Sequence, residues 1–545
     1  MRKFLSIFLC IVIILSMFSG CKKNKDTIIN LPLSNLPNCF DPQIANNNDL
    51  ENIINNCFEG LVRINENGQI ECGVAQNWKV SNKGLTYTFN LRKNAKWRLP
   101  SGLSNILGED YEKTFNTTVT ANDFVFAIKR ALDPNTNAPM AYALSSIESV
   151  YSDGEHILII NLSKPNVNFL NFLAEPVCMP CNEKFFEATA GRYGLEKNLI
   201  LSNGPYYINN IDKDVGITLI KNDSYVGNYK AIAKTAKFLL LKPLIDKITD
   251  EGAEPTSIID YPTLLSLEKN GLDVATISKQ QTTEITTQIE VIKYKNAIKA
   301  FCFNAKSDSL KDKNIRLALA HATDISLLLT NNVNAAEGIV PSCCGLTADI
   351  SYRAGSNIVK APNYDLSKAN SYFKNAVENS KDKNGKKTNL SVDITLICLK
   401  DEETIMKKLI QDWQKTFGVT LSITIKTFDS FEDLNNAVEA GEYDIAYTTI
   451  SSYEFLSSNF LNSFTTGAGN NIINLSNETY DTLMRNVYDA GSKDELIQTL
   501  RTAECFLVDN AYILPTSAED GYFAKTKRAK DLSVRPSGTV FALYR

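Results

Sequence analysis

Cys178-Met179-Pro180-Cys181 has the CxxC spacing with which thiol oxidoreductases exchange disulfides. That chemistry needs a strand before the motif and a long helix after it. Here the pair closes an apolar run, Phe172–Pro180, and neither flank has that form. The pair reads as structural, with an exported thiol oxidoreductase as the alternative. Only two histidines are present, His156 in a strand-like stretch and His321 in a helical one. They assemble no nucleophile–base pair and supply a Cys/His zinc site poorly. The residues therefore point to no catalytic group, no metal and no cofactor. Beyond Cys10 and Cys21, the cysteines are 39, 57, 72, 178, 181, 302, 343, 344, 398 and 505. Several lie in apolar runs such as Phe301-Cys302-Phe303, where cysteine acts as a small hydrophobe. An exported chain with an even number could also pair them, so their redox state stays open, as does the role of Cys343-Cys344.

The first residues indicate export. Arg2 and Lys3 precede the apolar stretch Phe4–Phe18, and Phe18-Ser19-Gly20-Cys21 follows. The stretch is short for a spanning helix, which needs about 20 residues. It reads as a signal peptide over residues 1–20. Phe18–Cys21 resembles a bacterial lipobox, which implies cleavage before Cys21 and a lipid anchor on its sulfur. Two acyl chains suffice for stable anchoring. The mature chain is expected on the outer face of the cytoplasmic membrane. A net charge of −4 and the lack of a basic patch give no footprint for nucleic acid.

Several elements are legible. Leu85, Tyr87, Phe89 and Leu91 alternate with Thr86, Thr88, Asn90 and Arg92, the two-residue period of a half-buried strand. Ser81–Gly84 is turn chemistry, so Trp78–Val80 and Leu85–Arg92 are expected to form a hairpin. Thr120 and Asp123 form a variant capping box for a helix with Phe124, Ile128, Ala131 and Leu132 on one face, stopped at Asp133-Pro134. Residues 390–448 read as strand, helix, strand, helix, strand, which implies parallel pairing. Residues 98–118 read as a long surface loop, and the tail from Ile513 as irregular and strand-like.

An ordered set of motifs then appears. Asp41-Pro42-Gln43 and Phe58-Glu59-Gly60-Leu61-Val62 precede the hairpin; Thr120–Pro134 follows it. Later come Asn203-Gly204-Pro205-Tyr206, Phe303-Asn304, Ile315–Leu319 with Asp324, and Tyr443-Asp444-Ile445. In this order they resemble the oligopeptide/dipeptide-binding family (solute-binding protein family 5) of ABC-importer extracellular lipoproteins. The resemblance implies an α/β, two-lobed periplasmic-binding-protein-like (type II) fold with an extra accessory α/β domain. Lobe I would comprise about 22–62, 196–293 and 516–545, the accessory domain 63–195, and lobe II 294–515. It implies a monomeric, non-enzymatic receptor that captures a peptide or related small solute and delivers it to an ABC permease and its ATPase. A chaperone or signalling receptor using the same cleft without transport is a further alternative.

The resemblance also implies site residues. Thr448, Thr449, Ile450 and Ser451 would offer a strand edge to an extended ligand, with Asn46 and Asn48 across the cleft and Met140 and Tyr142 from the accessory domain. Peptide-binding members commonly carry a Trp and an Asp where this chain has Ile450 and Tyr453. Glu454 stands one residue further on, and a one-residue shift turns a strand side chain to the other face. Tyr225-Val226-Gly227 replaces the family's Tyr-Trp-Gly. The family also includes members for nickel chelates and oligosaccharides. The ligand and the status of its amine are left open.

Overall fold

The computed structural model describes residues 27–545 except 46, 66–67, 109, 242–270, 278, 280, 284, 286–288, 330–333, 348–349, 355–356, 381–389, 453–455, 470 and 535–540. Strand β1 (Ile28–Leu33) buries Ile29, Leu31 and Leu33 and is followed by the helix Asn48–Cys57. Asn47 caps that helix by accepting the Leu50 N–H at 2.9 Å, a contact of about 1 kcal/mol. A short hairpin of β2 (Val62–Ile64) and β3 (Ile70–Cys72) leads into β4 (Ala75–Ser81) and β5 (Thr86–Leu91).

The β4–β5 hairpin is the one the alternation predicts. Tyr87, Phe89 and Leu91 are buried, Thr86, Thr88 and Asn90 are half-buried, and Asn82–Gly84 make the turn. The helix Ala121–Leu132 starts on the expected reciprocal cap, with Asp123 Oδ2 accepting the Thr120 N–H at 2.7 Å. Its buried face, Phe124, Ala127, Ile128 and Ala131, meets β6 (Ile147–Ser152) and β7 (Ile157–Leu162). These strands complete a four-stranded sheet of order β4-β5-β7-β6. Residues 98–118 differ from expectation. They hold two single-turn helices, Ser104–Leu107 and Tyr111–Thr114, tied down by buried Leu103 and by Tyr111 and Phe115 against the Phe185 ring. Apolar anchors spaced by polar residues lack a helix or strand period, so pattern reading misses them.

An antiparallel meander of β8 (Tyr206–Asp212), β9 (Gly216–Lys221) and β10 (Thr235–Leu240) follows, and β1 joins β10 in parallel. Next come β11 (Val274–Ile277), the long β12 (Ile289–Phe303), and a small pair, β13 (Gly345–Thr347) and β14 (Ile350–Ser351). Strands β15 (Val392–Leu399), β16 (Leu421–Phe428) and β17 (Ile445–Ser451) alternate with helices Glu403–Phe417 and Phe431–Glu439, as predicted. Gly418, with φ of 69°, ends the first helix. Pairing is parallel throughout this unit.

The tail is more regular than expected. Ile513–Thr526 is one strand, β18, pairing with β11 and β12. Pro515 and Gly521 break its sequence pattern, and the ladder absorbs Pro515 at a register shift between Lys299 and Ala300. The resulting six-stranded sheet has order β11-β18-β12-β17-β15-β16. Phe301, Phe303, Leu396 and Trp413 belong to one of its apolar clusters, and Ile298, Ala300, Ile397 and Ile450 to another.

Candidate functional site: an open strand edge

Ile445-Ala446-Tyr447-Thr448-Thr449-Ile450-Ser451 is rich in β-branched residues and forms β17. On one side β17 is fully paired with β12, from Phe303↔Ile445 to Ala297↔Ser451. On the other side β15 pairs only at Leu396↔Ile445 and Ile397↔Ala446. From Tyr447 to Ser451, among the described residues, no strand covers that second edge. The cause is local. β15 parts from β17 after Ile397 while staying on β16 to Leu399, and the chain then turns through Lys400–Glu402 into the helix Glu403–Phe417. The open edge therefore lies by the carboxyl end of a parallel strand, where open α/β sheets place ligands.

Side chains along the edge split by face. Thr448 and Ile450 are 3% and 6% exposed, and Ile450 belongs to the cluster of Ile298, Ala300 and Phe460. Thr449 and Ser451 are half-buried. Thr449 is the register partner of Lys299, whose ammonium forms an ion pair with Glu402 and lies 5.1 Å from the Tyr447 ring centroid. The other Glu402 oxygen accepts the Leu399 N–H at 3.1 Å. Burial pushes the Glu402 carboxyl up from its ordinary value, and Lys299 opposes this. The pair was not anticipated. Its signal was a single lysine inside the apolar run Ala297-Ile298-Lys299-Ala300-Phe301.

The remaining expected residues lie as follows. Asn48 is the first residue of the helix Asn48–Cys57. Met140 precedes the turn Ala141–Leu144 and is half-buried; the Tyr142 ring lies 4.6 Å from that of Tyr488. Tyr142 and Ala143 pack on the apolar cluster that holds Ile450, so one core joins this turn to β17. Asn46, Tyr453, Glu454 and Cys21 lie outside the described residues.

Among the described residues, the two motifs that could carry chemistry do not assemble a reactive centre. Cys178 and Cys181 are both 0% exposed free thiols, and burial pushes them up, Cys181 to about 12. A thiol of that kind is not an exchange nucleophile. His321 is held by the Asn363 carbonyl, 2.8 Å from Nδ1, and stacks on Tyr372. The recognisable motifs serve as fasteners. Asn203 bonds the Glu59 backbone in both directions, at 3.0 and 2.8 Å, and Gly204 lies against the Cys57–Phe58 peptide. Arg130 clamps Asp41 and Gln43; Asn304 donates to the Tyr443 carbonyl at 2.8 Å; Asp444 takes the Thr395 N–H at 2.7 Å.

An open strand edge beside parallel strand ends is an arrangement suited to holding an extended ligand. The model of the bacterial extracellular solute-binding proteins, family 5 (middle), matches residues 69–472, and the chain belongs to this family. Such proteins bind solutes and are not enzymes. Among similar proteins, the dipeptide-binding protein DppE of Bacillus subtilis is 24% identical over 540 residues, which is 95% of this chain and 92% of DppE. The structure of Listeria monocytogenes OppA bound to peptide matches with a TM-score of 0.67 at 21% identity, covering 95% and 98% of the two chains. That of NikZ from Campylobacter jejuni in complex with Ni(L-His) matches with a TM-score of 0.67 at 19% identity, covering 95% and 97%. The shared fold is the two-lobed α/β fold.

Proposed function

We propose that this chain is the extracytoplasmic receptor of an ABC importer, and that it captures a peptide or related solute in the cleft between its lobes. The observation that carries this reading is the uncovered edge of β17 from Tyr447 to Ser451. An extended peptide added there gains main-chain hydrogen bonds of about 1 kcal/mol net each, without its side chains being read. Asn46, Asn48, Met140 and Tyr142 contribute from the facing parts, and Tyr453 and Glu454 continue the wall. The similarity to proteins named for dipeptide and oligopeptide binding agrees with this. Lobe I comprises about 22–62, 196–293 and 516–545, the accessory domain 63–195, and lobe II 294–515. β12 and β18 run through the 293/294 and 515/516 junctions, and a register shift falls beside each, between Tyr294 and Ala297 and between Lys299 and Ala300. Two crossing strands with a bulge suit a hinge on which the lobes close. Lipid on Cys21 anchors the mature, monomeric chain to the membrane beside its permease.

The test is mass spectrometry of the small molecules released by denaturing protein purified from its own membranes. Peptides, or solutes with a peptide-like backbone, are the expected release. A reproducible stoichiometric ligand with no backbone amide would overturn the peptide reading.

A further inference from the structure

In the proposed division of the chain, the accessory domain shares its core with lobe I. Ile29, Phe40 and Ile53 belong to one apolar cluster with Phe89, Phe124, Ile128 and Phe169. Arg130 on Asp41 fastens the same two parts, as does Gln43, which donates to the Val177 and Met179 carbonyls at 3.2 and 2.9 Å. Lobe II is built on other clusters. The two bodies are joined by β12 and β18. They are joined again, by a contact that involves neither strand, where residues 164–168 of the accessory domain meet the end of the helix Glu478–Tyr488.

A helix leaves its last carbonyls without partners of its own. The other body supplies partners at this end. Asn166 Nδ2 donates to the Tyr488 carbonyl at 3.2 Å, and the Val167 N–H to the Ala490 carbonyl at 3.5 Å. Lys164 forms an ion pair with Asp489, which sets a cation by the negative end of the helix. Asn168 Nδ2 reaches the Leu346 carbonyl, in β13, at 3.3 Å. The amides are held ready by bonds within their own segment. Asn166 Oδ1 takes the Asn168 N–H at 2.9 Å, and Asn171 Nδ2 donates to Asn168 Oδ1 at 3.1 Å. Beside them the Tyr488 ring packs on Tyr142 and Phe172, at centroid distances of 4.6 and 5.7 Å. The polar bonds across this contact end on backbone carbonyls, which water satisfies when the bodies part, so the contact suits repeated making and breaking.

We propose that residues 164–168 and 488–490 form a latch, which holds the lobes closed over bound ligand and must part before the ligand leaves. This rests on the lobe assignment and hinge proposed above. The latch sets how long a ligand is held, while the β17 edge sets what is held.

The test uses the mature protein, stripped of ligand in guanidinium, refolded and loaded from a tryptic digest of casein. Small-angle X-ray scattering follows its size, and mass spectrometry follows the departure of bound peptides on dilution. Loading should contract the wild type. Asn166→Ala should release the same peptides about five-fold faster, for one hydrogen bond lost. Asp489→Lys, a change at a half-exposed surface position, sets two cations against each other and should speed release a few-fold. If the wild type contracts on loading but Asp489→Lys and the folded Asn166→Ala release peptides at its rate, the latch alone is overturned. If the wild type takes up no peptide, or does not contract, the closure reading falls and the latch with it.

Discussion

Glu504 offers a sharp test of how the 338–353 segment is held. Its carboxylate is 0% exposed and receives Arg353 Nη2 at 2.6 Å, Arg353 Nη1 at 3.1 Å, the Tyr352 hydroxyl at 2.8 Å, and the backbone N–H groups of Ile339 and Val340 at 2.8 and 3.1 Å. Glu504→Ala strands all of these donors. Removing one partner of a buried ion pair costs about 3–5 kcal/mol, and each unsatisfied backbone donor adds up to about 1–3 kcal/mol, less than additively. Arg353 keeps its bonds to the Val340 and Asn357 carbonyls, at 2.7 and 2.8 Å, which hold the orphaned charge in place rather than releasing it to water. The expected loss is on the order of 5 kcal/mol, measured by urea unfolding with tryptophan fluorescence. Trp413, buried in a core of the same six-stranded sheet, reports on the unit directly. Glu504→Gln keeps an oxygen for Ile339 and Val340 and should lose roughly half as much. Arg353→Met with Glu504→Leu should be more stable than Glu504→Ala, because no buried charge remains. A loss below about 1.5 kcal/mol for Glu504→Ala, with no recovery in the double variant, would refute the argument.

Three further outcomes are expected. Gly204→Ala should destabilise by about 1–3 kcal/mol in the same urea assay, because its Cβ would stand 2.7 Å from the backbone of Cys57 and Phe58; a neutral substitution would contradict that close approach. Glu59 has its folded pKa raised from 4.5 to about 7. The folded state therefore binds more protons than the unfolded one across that window, and stability falls as pH rises from about 4.5 to about 7. Glu59→Gln should flatten that slope; an unchanged slope would assign it to other groups. Cys178→Ser with Cys181→Ser should leave ligand affinity unchanged while lowering stability, since two hydroxyls enter a dry site. A disulfide-exchange activity present in the wild type and lost in this variant would restore the oxidoreductase reading.

What was legible in the sequence followed from period and punctuation. The β4–β5 hairpin, the Thr120–Asp123 cap and the parallel unit ending at β17 all follow from alternation, caps and helix-stopping glycines. The motifs identified the family while fastening the fold. Asn203 stitches two loops, Arg130 clamps Asp41, and Asn304 secures the start of β17. The edge proposed for the ligand was legible only through the resemblance. An uncovered edge is made of backbone groups, and whether a neighbour parts from it after Ile397 is a tertiary fact with no residue signature. The Lys299–Glu402 pair joins positions far apart in sequence that share no motif, so only its lone lysine in an apolar strand could have marked it. β18 was obscured because Pro515 and Gly521 interrupt a pattern that the sheet accommodates with a register shift.

Hydrogen–deuterium exchange of the purified chain, with and without the ligand released from it, addresses the strand edge most directly. Each main-chain bond made to β17 is worth about 1 kcal/mol and slows exchange roughly five-fold. Slowed exchange is predicted in the peptides covering Tyr447–Ser451 when ligand is added. Protection elsewhere in the chain with Tyr447–Ser451 unchanged would contradict the account and move the ligand away from β17.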